Sequence, residues 1–253
     1  MKLAHFTTEN HARWGVVEGG QVIEVVGSIY GDWELSKSRY LLSSVKILPP
    51  DSPNKLIGVG LNYADHCREA GRPIPEEPFI FLKAPTAMIG HEQAIAIPFP
   101  DHEIHHEGEL TLVIRRAAKN VEPEDALNYV LGYTCGNDVS DRTMQKRDSA
   151  PTRGKSLDTF APLGPFIVTD IGNPDKLQIE CLVNGVVRQS SNTDQFVFNV
   201  PTLVSFLSKM MTLLPGDLVM TGTPPGVGPI RAGDVVEVRI EGIGTLRNSV
   251  RSA

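Results

Sequence analysis

The apolar residues of this chain come in short, β-branched runs closed off by glycine, proline or asparagine, and strand-like and helix-like stretches do not alternate. A chain built this way has no repeating strand–helix unit from which to wind a parallel sheet. It fits a mainly β structure with some α, a compact roll or barrel under helical cover. Strand-like runs fall at residues 3–6, 13–17 and 21–25, with Glu18-Gly19-Gly20 as a hairpin turn between the last two. Others fall at 55–60, 79–83, 94–98, 110–114, 165–168 and 177–183. That last run turns at Asn184-Gly185 into 186–189, and 218–221, 234–240 and 242–246 follow. Helical patterns are few. Asn62 is positioned to cap one that Gly71 ends, Glu122-Pro123-Glu124-Asp125 opens another with Ala126, Leu127, Val130 and Leu131 as its apolar stripe, and Asn199 opens a third. Its Leu203, Phe206, Leu207, Met210 and Met211 read as core. The Pro-dense run from Ile47 to Pro53 reads as a linker, dividing a small β-rich N-terminal domain (1–50) from a larger domain (51–253).

Composition narrows the function. A formal net charge of -6 over 253 residues disfavours nucleic acid as a partner. No apolar run is long enough to span a bilayer, and the N-terminus lacks the layout of a secretory signal. Cys67, Cys135 and Cys181 are odd in number and widely spaced, as reduced thiols of a cytoplasmic protein would be.

The chemistry concentrates at residues 105–114, where a charged, His-rich loop enters an apolar strand. Alternation along a strand puts Glu107 and Glu109 on one face and Gly108, Leu110 and Leu112 on the other. Two carboxylates side by side at the mouth of a buried strand repel unless a cation or protons sit between them, and a hard divalent ion held by oxygens is the natural answer. A solvated acidic strand end is the plainer alternative. Asp138 stands where a strand meets a turn, an address that suits a metal-binding carboxylate or a helix cap. On the helix after Asn62, His66 and Glu69 are neighbours at i and i+3: a carboxylate that fixes an imidazole tautomer, or a surface ion pair. The Pro-rich loop 72–78 follows directly, as a lid or a connector. Gly154-Lys155-Ser156 is not a phosphate loop, because Ser149 stands where that loop's first glycine belongs. Lys155 is suited to steadying an enolate or carboxylate if it lies near the acidic groups. The rigid stretch 221–228 offers hydroxyls and amides to an anion.

Taken together, Asn62-Tyr63-x-x-His66-x-x-Glu69, Glu107-x-Glu109, Asn137-Asp138-Val139-Ser140-x-Arg142, Gly154-Lys155-Ser156-x-Asp158-Thr159 and Thr221-Gly222-Thr223-Pro224-x-Gly226-Val227-Gly228 resemble the fumarylacetoacetate hydrolase family, in order, across residues 55–250. The first 50 residues resemble the small N-terminal domain of its bacterial members. The resemblance implies a mixed β-sandwich roll, a homodimer, and Mg2+ (or Mn2+, or Ca2+) held by Glu107, Glu109 and Asp138. It further implies His66 and Glu69 as acid–base dyad, Lys155 on the substrate's oxygens, and Arg142, Gln145 and Thr223 as substrate-binding groups. Two positions depart from the family's habit. Asp141 and Thr143 flank Arg142, where they are expected to alter which substrate end is tolerated, and Gly108 replaces a branched residue, which is expected only to remove a side chain from the far face.

The chemistry expected is that of a divalent-metal enzyme on small 1,3-dicarbonyl or α-keto acids, either C–C hydrolysis of an acylpyruvate or decarboxylation of oxaloacetate through a metal-stabilised enolate. A 2-hydroxyhepta-2,4-diene-1,7-dioate isomerase of aromatic breakdown is the alternative, and a non-catalytic metal- or small-molecule-binding protein a weaker one. A zinc site of His102, His105 and His106 is weaker still, since adjacent residues of a strand face opposite ways.

Overall fold

The computed structural model describes residues 1–8, 11–50 and 53–253. Among them the dominant element is a twelve-stranded sheet. Ten of its strands run from Trp33–Leu41 at one edge through Gln21–Gly27, His11–Glu18, Lys2–Thr8, Ala161–Val168, Val130–Asn137, Gly108–Ile114, Leu218–Met220 and Leu56–Gly60 to Phe79–Lys83 at the other, and Lys46–Ile47 and Met88–Ile89 pair off this path with Lys2–Thr8 and Ala161–Val168. A five-stranded sheet orders Val186–Asn192, Gln178–Val183, Val235–Ile240, Gly244–Ser252 and Ile95–Ile97, and a three-stranded one joins Ser140–Asp141, Ile104–His106 and Gly228–Pro229. Antiparallel pairs predominate, but Leu218–Met220 lies parallel to Leu56–Gly60, so the sheet is mixed.

Alternation along each strand sorts the core. Leu110, Leu112 and Ile114 pack with Ile179, Cys181, Val236 and Val238 of the five-stranded sheet, making the inside of a sandwich. Val113, Leu163, Leu218 and Met220 face the other way into a second cluster, against which Trp14 and Trp33 pack. The opposite face of Gly108–Ile114 therefore carries Glu109 and Val113 away from the sandwich interior. Gly108 lies close under the five-stranded sheet: a Cβ there would lie 3.1 Å from Cys181 Cβ and 3.4 Å from Val238 Cγ1, a tight fit in which those side chains would have to give by a few tenths of an ångström. The departure at Gly108 thus bears on packing against the five-stranded sheet as well as removing a side chain from that face.

The Glu18-Gly19-Gly20 and Asn184-Gly185 turns form as expected, the latter with φ of 53° and 77° as a tight hairpin demands. The strands of residues 1–50 continue the large sheet, since Lys2–Thr8 pairs with Ala161–Val168. Strand Trp33–Leu41 is not marked in the sequence. As a solvent-facing edge strand of mostly polar residues it shows no apolar run to reveal it. Asp51 and Ser52 of the expected linker lie outside the described residues.

The helices, α1 (Ala64–Glu69), α2 (Arg142–Arg147), α3 (Thr152–Lys155) and α4 (Val200–Met210), are short. Three expectations are corrected here. Residues 123–129 form a 3-10 helix, and Val130 and Leu131 belong to the following strand. Three residues per turn cannot align an i, i+4 stripe, so Leu127 is exposed. Asn62 does not cap α1; its amide donates to the Phe198 and Thr221 carbonyls at 3.1 and 2.8 Å, riveting the root of that helix to the fold. In α4, which Asn199 does cap through Thr202 N–H, Leu203 and Leu207 are buried but Met210 is 56% exposed. No helix among the described residues is long and apolar enough to cross a membrane.

Candidate metal centre and its surroundings

Strand register brings the three acidic residues together. Glu109 pairs with Gly136, and Asp138 stands two residues beyond Gly136 on the same face. The Asp138 N–H donates to the Glu107 carbonyl at 2.8 Å, and the Glu107 N–H to Asn137 Oδ1 at 2.9 Å, which closes the strand ends around the site. One oxygen from each of Glu107, Glu109 and Asp138 lies within 4.8 Å of the others, and all three residues are buried. Buried carboxylates this close are stable only with positive charge or protons among them.

The chain supplies three cations. Lys155, at the end of α3, donates to Glu107 Oε2 at 2.7 Å and to Asp138, and it lies 4.9 Å from the centroid of the Phe81 ring. Arg142, opening α2, bonds Glu107 and donates to Gln145 Oε1 at 2.7 Å. The third, Lys83, escapes the sequence reading. Its ammonium is wholly buried, bonded to Asp138 and donating to the Phe160 carbonyl at 2.9 Å. The signal that could have found it is parity. Lys83 closes an apolar strand two residues after Phe81, on the same face, where a lysine is buried only if it meets a carboxylate.

The electrostatics divide the acids. Burial pushes Glu107 up, but the Lys155 and Arg142 charges outweigh it and hold the carboxyl well below the usual range. Among the described residues Glu109 has no such partner. Burial, and then the charges of Asp138 and Glu107, raise its pKa well above the ordinary value, and its hydrogen bond from Gly222 N–H at 2.9 Å does not offset them. Burial lowers the Lys83 pKa against the pull of Asp138, whereas at Lys155 the charges of Asp138 and Glu107 overcome burial and raise it. A hard divalent cation fits this donor set: three carboxylates in reach of one point, one of them without a cation of its own.

A cavity of about 170 Å3 opens onto Glu107 and Glu109 and is lined also by His66, Phe79, Phe81, Arg142, Gln145, Lys155 and Thr223. Larger clefts lie elsewhere, one of about 510 Å3 beside His102 and Arg231, but no buried carboxylate–lysine cluster among the described residues adjoins them. His66 Nδ1 lies 3.1 Å from Glu69 Oε2, and Glu69 also accepts from Gly226 N–H at 3.0 Å. The amides of 221–228 expected to hold an anion thus hold two of the chain's own carboxylates, Glu109 through Gly222 and Glu69 through Gly226.

Of the residues expected to act, His66, Glu107, Glu109, Arg142, Gln145, Lys155 and Thr223 line this cavity, while Glu69 is bonded to His66 and Asp138 to Lys155. Asp141 and Thr143 do not line it. Asp141 caps α2 by accepting from Met144 N–H at 2.8 Å and meets His102 Nδ1 at 2.6 Å, while Thr143 Oγ1 accepts from Glu103 N–H. Both sit at the helix that bears Arg142, Asp141 as its cap, so an effect on which substrate end is tolerated would run through Arg142. The three histidines of the alternative zinc site have separate partners: His102 meets Asp141, His105 meets Glu103 and His106 meets Gln189.

Residues 55–251 match the family described as Fumarylacetoacetate (FAA) hydrolase C-terminal, and residues 1–50 match the one described as Rv2993c-like, N-terminal. The chain belongs to the fumarylacetoacetate hydrolase family, whose members are enzymes. It is 43% identical to an oxaloacetate tautomerase, mitochondrial, of Xenopus laevis, over 85% of this chain and 72% of that one. Among solved structures, the 2-hydroxyhepta-2,4-diene-1,7-dioate isomerase of Mycobacterium marinum superposes with a TM-score of 0.93 at 40% identity, covering 100% of this chain and 98% of that one. The maleylpyruvate hydrolase of Sphingobium sp. SYK-6, in complex with manganese(II) and pyruvate, covers 100% of both chains with a TM-score of 0.84 at 30% identity.

Proposed function

We propose that this protein is a divalent-metal enzyme, using Mg2+ or Mn2+, for small α-keto and 1,3-dicarbonyl acids. The reactions proposed are decarboxylation of oxaloacetate and C–C hydrolysis of acylpyruvates, both of which pass through an enolate. The observation that carries the reading is the cluster of three buried carboxylates within 4.8 Å, ringed by Lys83, Lys155 and Arg142 and opening onto the His66–Glu69 pair. Glu107, Glu109 and Asp138 would hold the ion, which supplies Lewis acidity toward the substrate's oxygens.

The chain's own groups do the rest. The formal charges of the three acids and three cations balance, so a divalent ion leaves the site doubly positive, matched to a dianionic acid. Arg142, Gln145 and Thr223 line the cavity where a carboxylate would be oriented. Glu69 fixes the His66 ring through Nδ1, leaving the imidazole to take a proton from the substrate carbon or from water. The cavity of about 170 Å3 is below the roughly 300–1,000 Å3 of drug-sized sites, which favours a short keto acid over the longer dienedioate. The isomerase reading stays as the second, on the strength of the Mycobacterium marinum neighbour. The working protein is taken to be a homodimer, without a nucleic-acid or membrane partner.

The test is a panel of oxaloacetate, acylpyruvates and 2-hydroxyhepta-2,4-diene-1,7-dioate, each assayed with Mg2+, Mn2+ and chelator. Metal-dependent turnover of the short keto acids is expected. Turnover of the hydroxydienedioate alone would move the assignment to the isomerase, and no turnover of any would defeat both.

A further inference from the structure

Strand Val186–Asn192 carries no residue marked as chemical by the sequence, yet two of its side chains reach the supports of the site. Gln189 and Ser191 pair with Cys181 and Ile179 in the ladder and so turn toward the large sheet. Gln189 is fully buried, and both ends of its amide are engaged. Its Oε1 accepts from Gly108 N–H at 2.9 Å and lies 3.2 Å from His106 Nδ1, while its Nε2 donates to Thr223 Oγ1 and the Pro224 carbonyl, each at 2.8 Å. The Thr223 hydroxyl donates in turn to the Gly108 carbonyl at 3.0 Å. Gly108, between the two glutamates, thus has its N–H and its C=O fixed in one closed ring through Gln189 and Thr223.

Two residues along the same strand, Ser191 Oγ donates to Asp65 Oδ2 at 2.7 Å, and Asp65 Oδ1 accepts from the His66 N–H at 2.9 Å. The loop 221–228 is seated on this strand as well: a Cβ on Gly226 would fall 2.1 Å from the Arg188 carbonyl oxygen. Gly226 is the residue whose N–H holds Glu69.

We propose that Gln189 and Ser191 are positioning residues, through which one strand holds the paired glutamates and Thr223 in register with the helix that bears His66 and Glu69. Neither side chain lines the cavity. Each acts through a residue that does, Gln189 through Thr223 and the strand of Glu107 and Glu109, Ser191 through Asp65 on His66. Partners one step out from a metal-binding group set its orientation, and their loss typically changes metal affinity or activity about 10–100-fold. The inference rests on the catalytic reading above.

The test crosses two variants with three readouts: Mn2+ affinity by titration, steady-state kinetics, and amide hydrogen exchange of α1. Gln189→Met removes the hydrogen bonds at similar volume. It is expected to weaken Mn2+ binding about tenfold and to raise KM, with exchange at Cys67 and Ala70 unchanged. Ser191→Ala is expected to lower kcat about tenfold and to speed exchange at those amides, with Mn2+ affinity within about twofold of wild type. Ser191→Thr, which keeps the hydroxyl, should restore both. If Gln189→Met does not fold, Gln189→Glu keeps the acceptor for Gly108 while losing the donors to Thr223 and Pro224, and the same weakening of Mn2+ binding is expected. A folded Gln189 variant with wild-type Mn2+ affinity overturns the proposal. So does Ser191→Ala with wild-type kcat and exchange, or a pair of variants that shift all readouts alike. Titration and exchange require no turnover. A wild-type protein inert toward every keto acid therefore defeats the catalytic reading while these two arms still decide the positioning roles.

Discussion

Replacing Glu109 by glutamine separates what the acidic cluster does for binding from what it costs the fold. Glu109 is 1% exposed and, unlike Glu107 and Asp138, has no lysine or arginine bonded to it among the described residues. Its pKa is raised by burial first and by the Asp138 and Glu107 charges next. A carboxyl whose folded pKa lies above its unfolded value favours the folded state when protonated, and that stability is lost as pH rises above the unfolded value toward the folded one. Each unit of displacement corresponds to about 1.4 kcal/mol, and 1 kcal/mol moves Tm by about 2–4 °C in a chain of this size. The Glu109→Gln side chain keeps the shape and the acceptor for Gly222 N–H but carries no charge. In chelator at pH 8, E109Q should therefore melt above wild type, the difference shrinking toward pH 5. In Mn2+ at about a hundred times its Kd, wild type should gain about 2.7 kcal/mol, or about 5–11 °C, and E109Q close to nothing. Thermal melts in chelator and in Mn2+ at pH 5, 7 and 8 measure both effects. A variant less stable than wild type in chelator at pH 8, or one that gains as much from Mn2+, would refute the reasoning.

Because Glu109 must lose its proton to bind an ion, apparent Mn2+ affinity should rise with pH and each ion bound should release protons, which calorimetry in buffers of different ionisation enthalpy detects. Lys83→Met strips Asp138 of a buried partner, at a cost of about 3–5 kcal/mol, or about 6–20 °C in chelator. Mn2+ should recover part of that loss by replacing the missing charge, and a loss equal with and without the ion would count against Lys83 as a member of the cluster. Gly108→Val forces a branched side chain against Cys181 and Val238, and should lower stability by about 1–3 kcal/mol, read as a shift in the denaturant midpoint with unchanged slope.

The strand pattern and the acid pair are legible in the sequence because each depends on a period of two residues. Glu107 and Glu109 share a face, Gly108 and Leu110 share the other, and this holds wherever the strand is placed. His66 and Glu69 are legible for the same reason, through helical spacing. What escapes the sequence depends on register between distant strands. Lys83 becomes a site residue only because its edge strand lies close to Asp138, and Gln189 only because the five-stranded sheet closes onto Gly108. Periodicity assigns Leu127 and Met210 to the core, but a 3-10 turn and a helix end leave both exposed. Asp141 stands out in the sequence as a departure beside Arg142, and only the fold shows it as the N-cap of α2, its oxygens taken up by Met144 N–H and His102.

The central claim is that Glu107, Glu109 and Asp138 grip a single divalent ion. Anomalous diffraction from crystals soaked in Mn2+ addresses it most directly. One strong peak within coordination distance of an oxygen from each of the three side chains is the predicted result. A site unfilled at millimolar Mn2+, or a peak at the histidines of 102–106 instead, would contradict it.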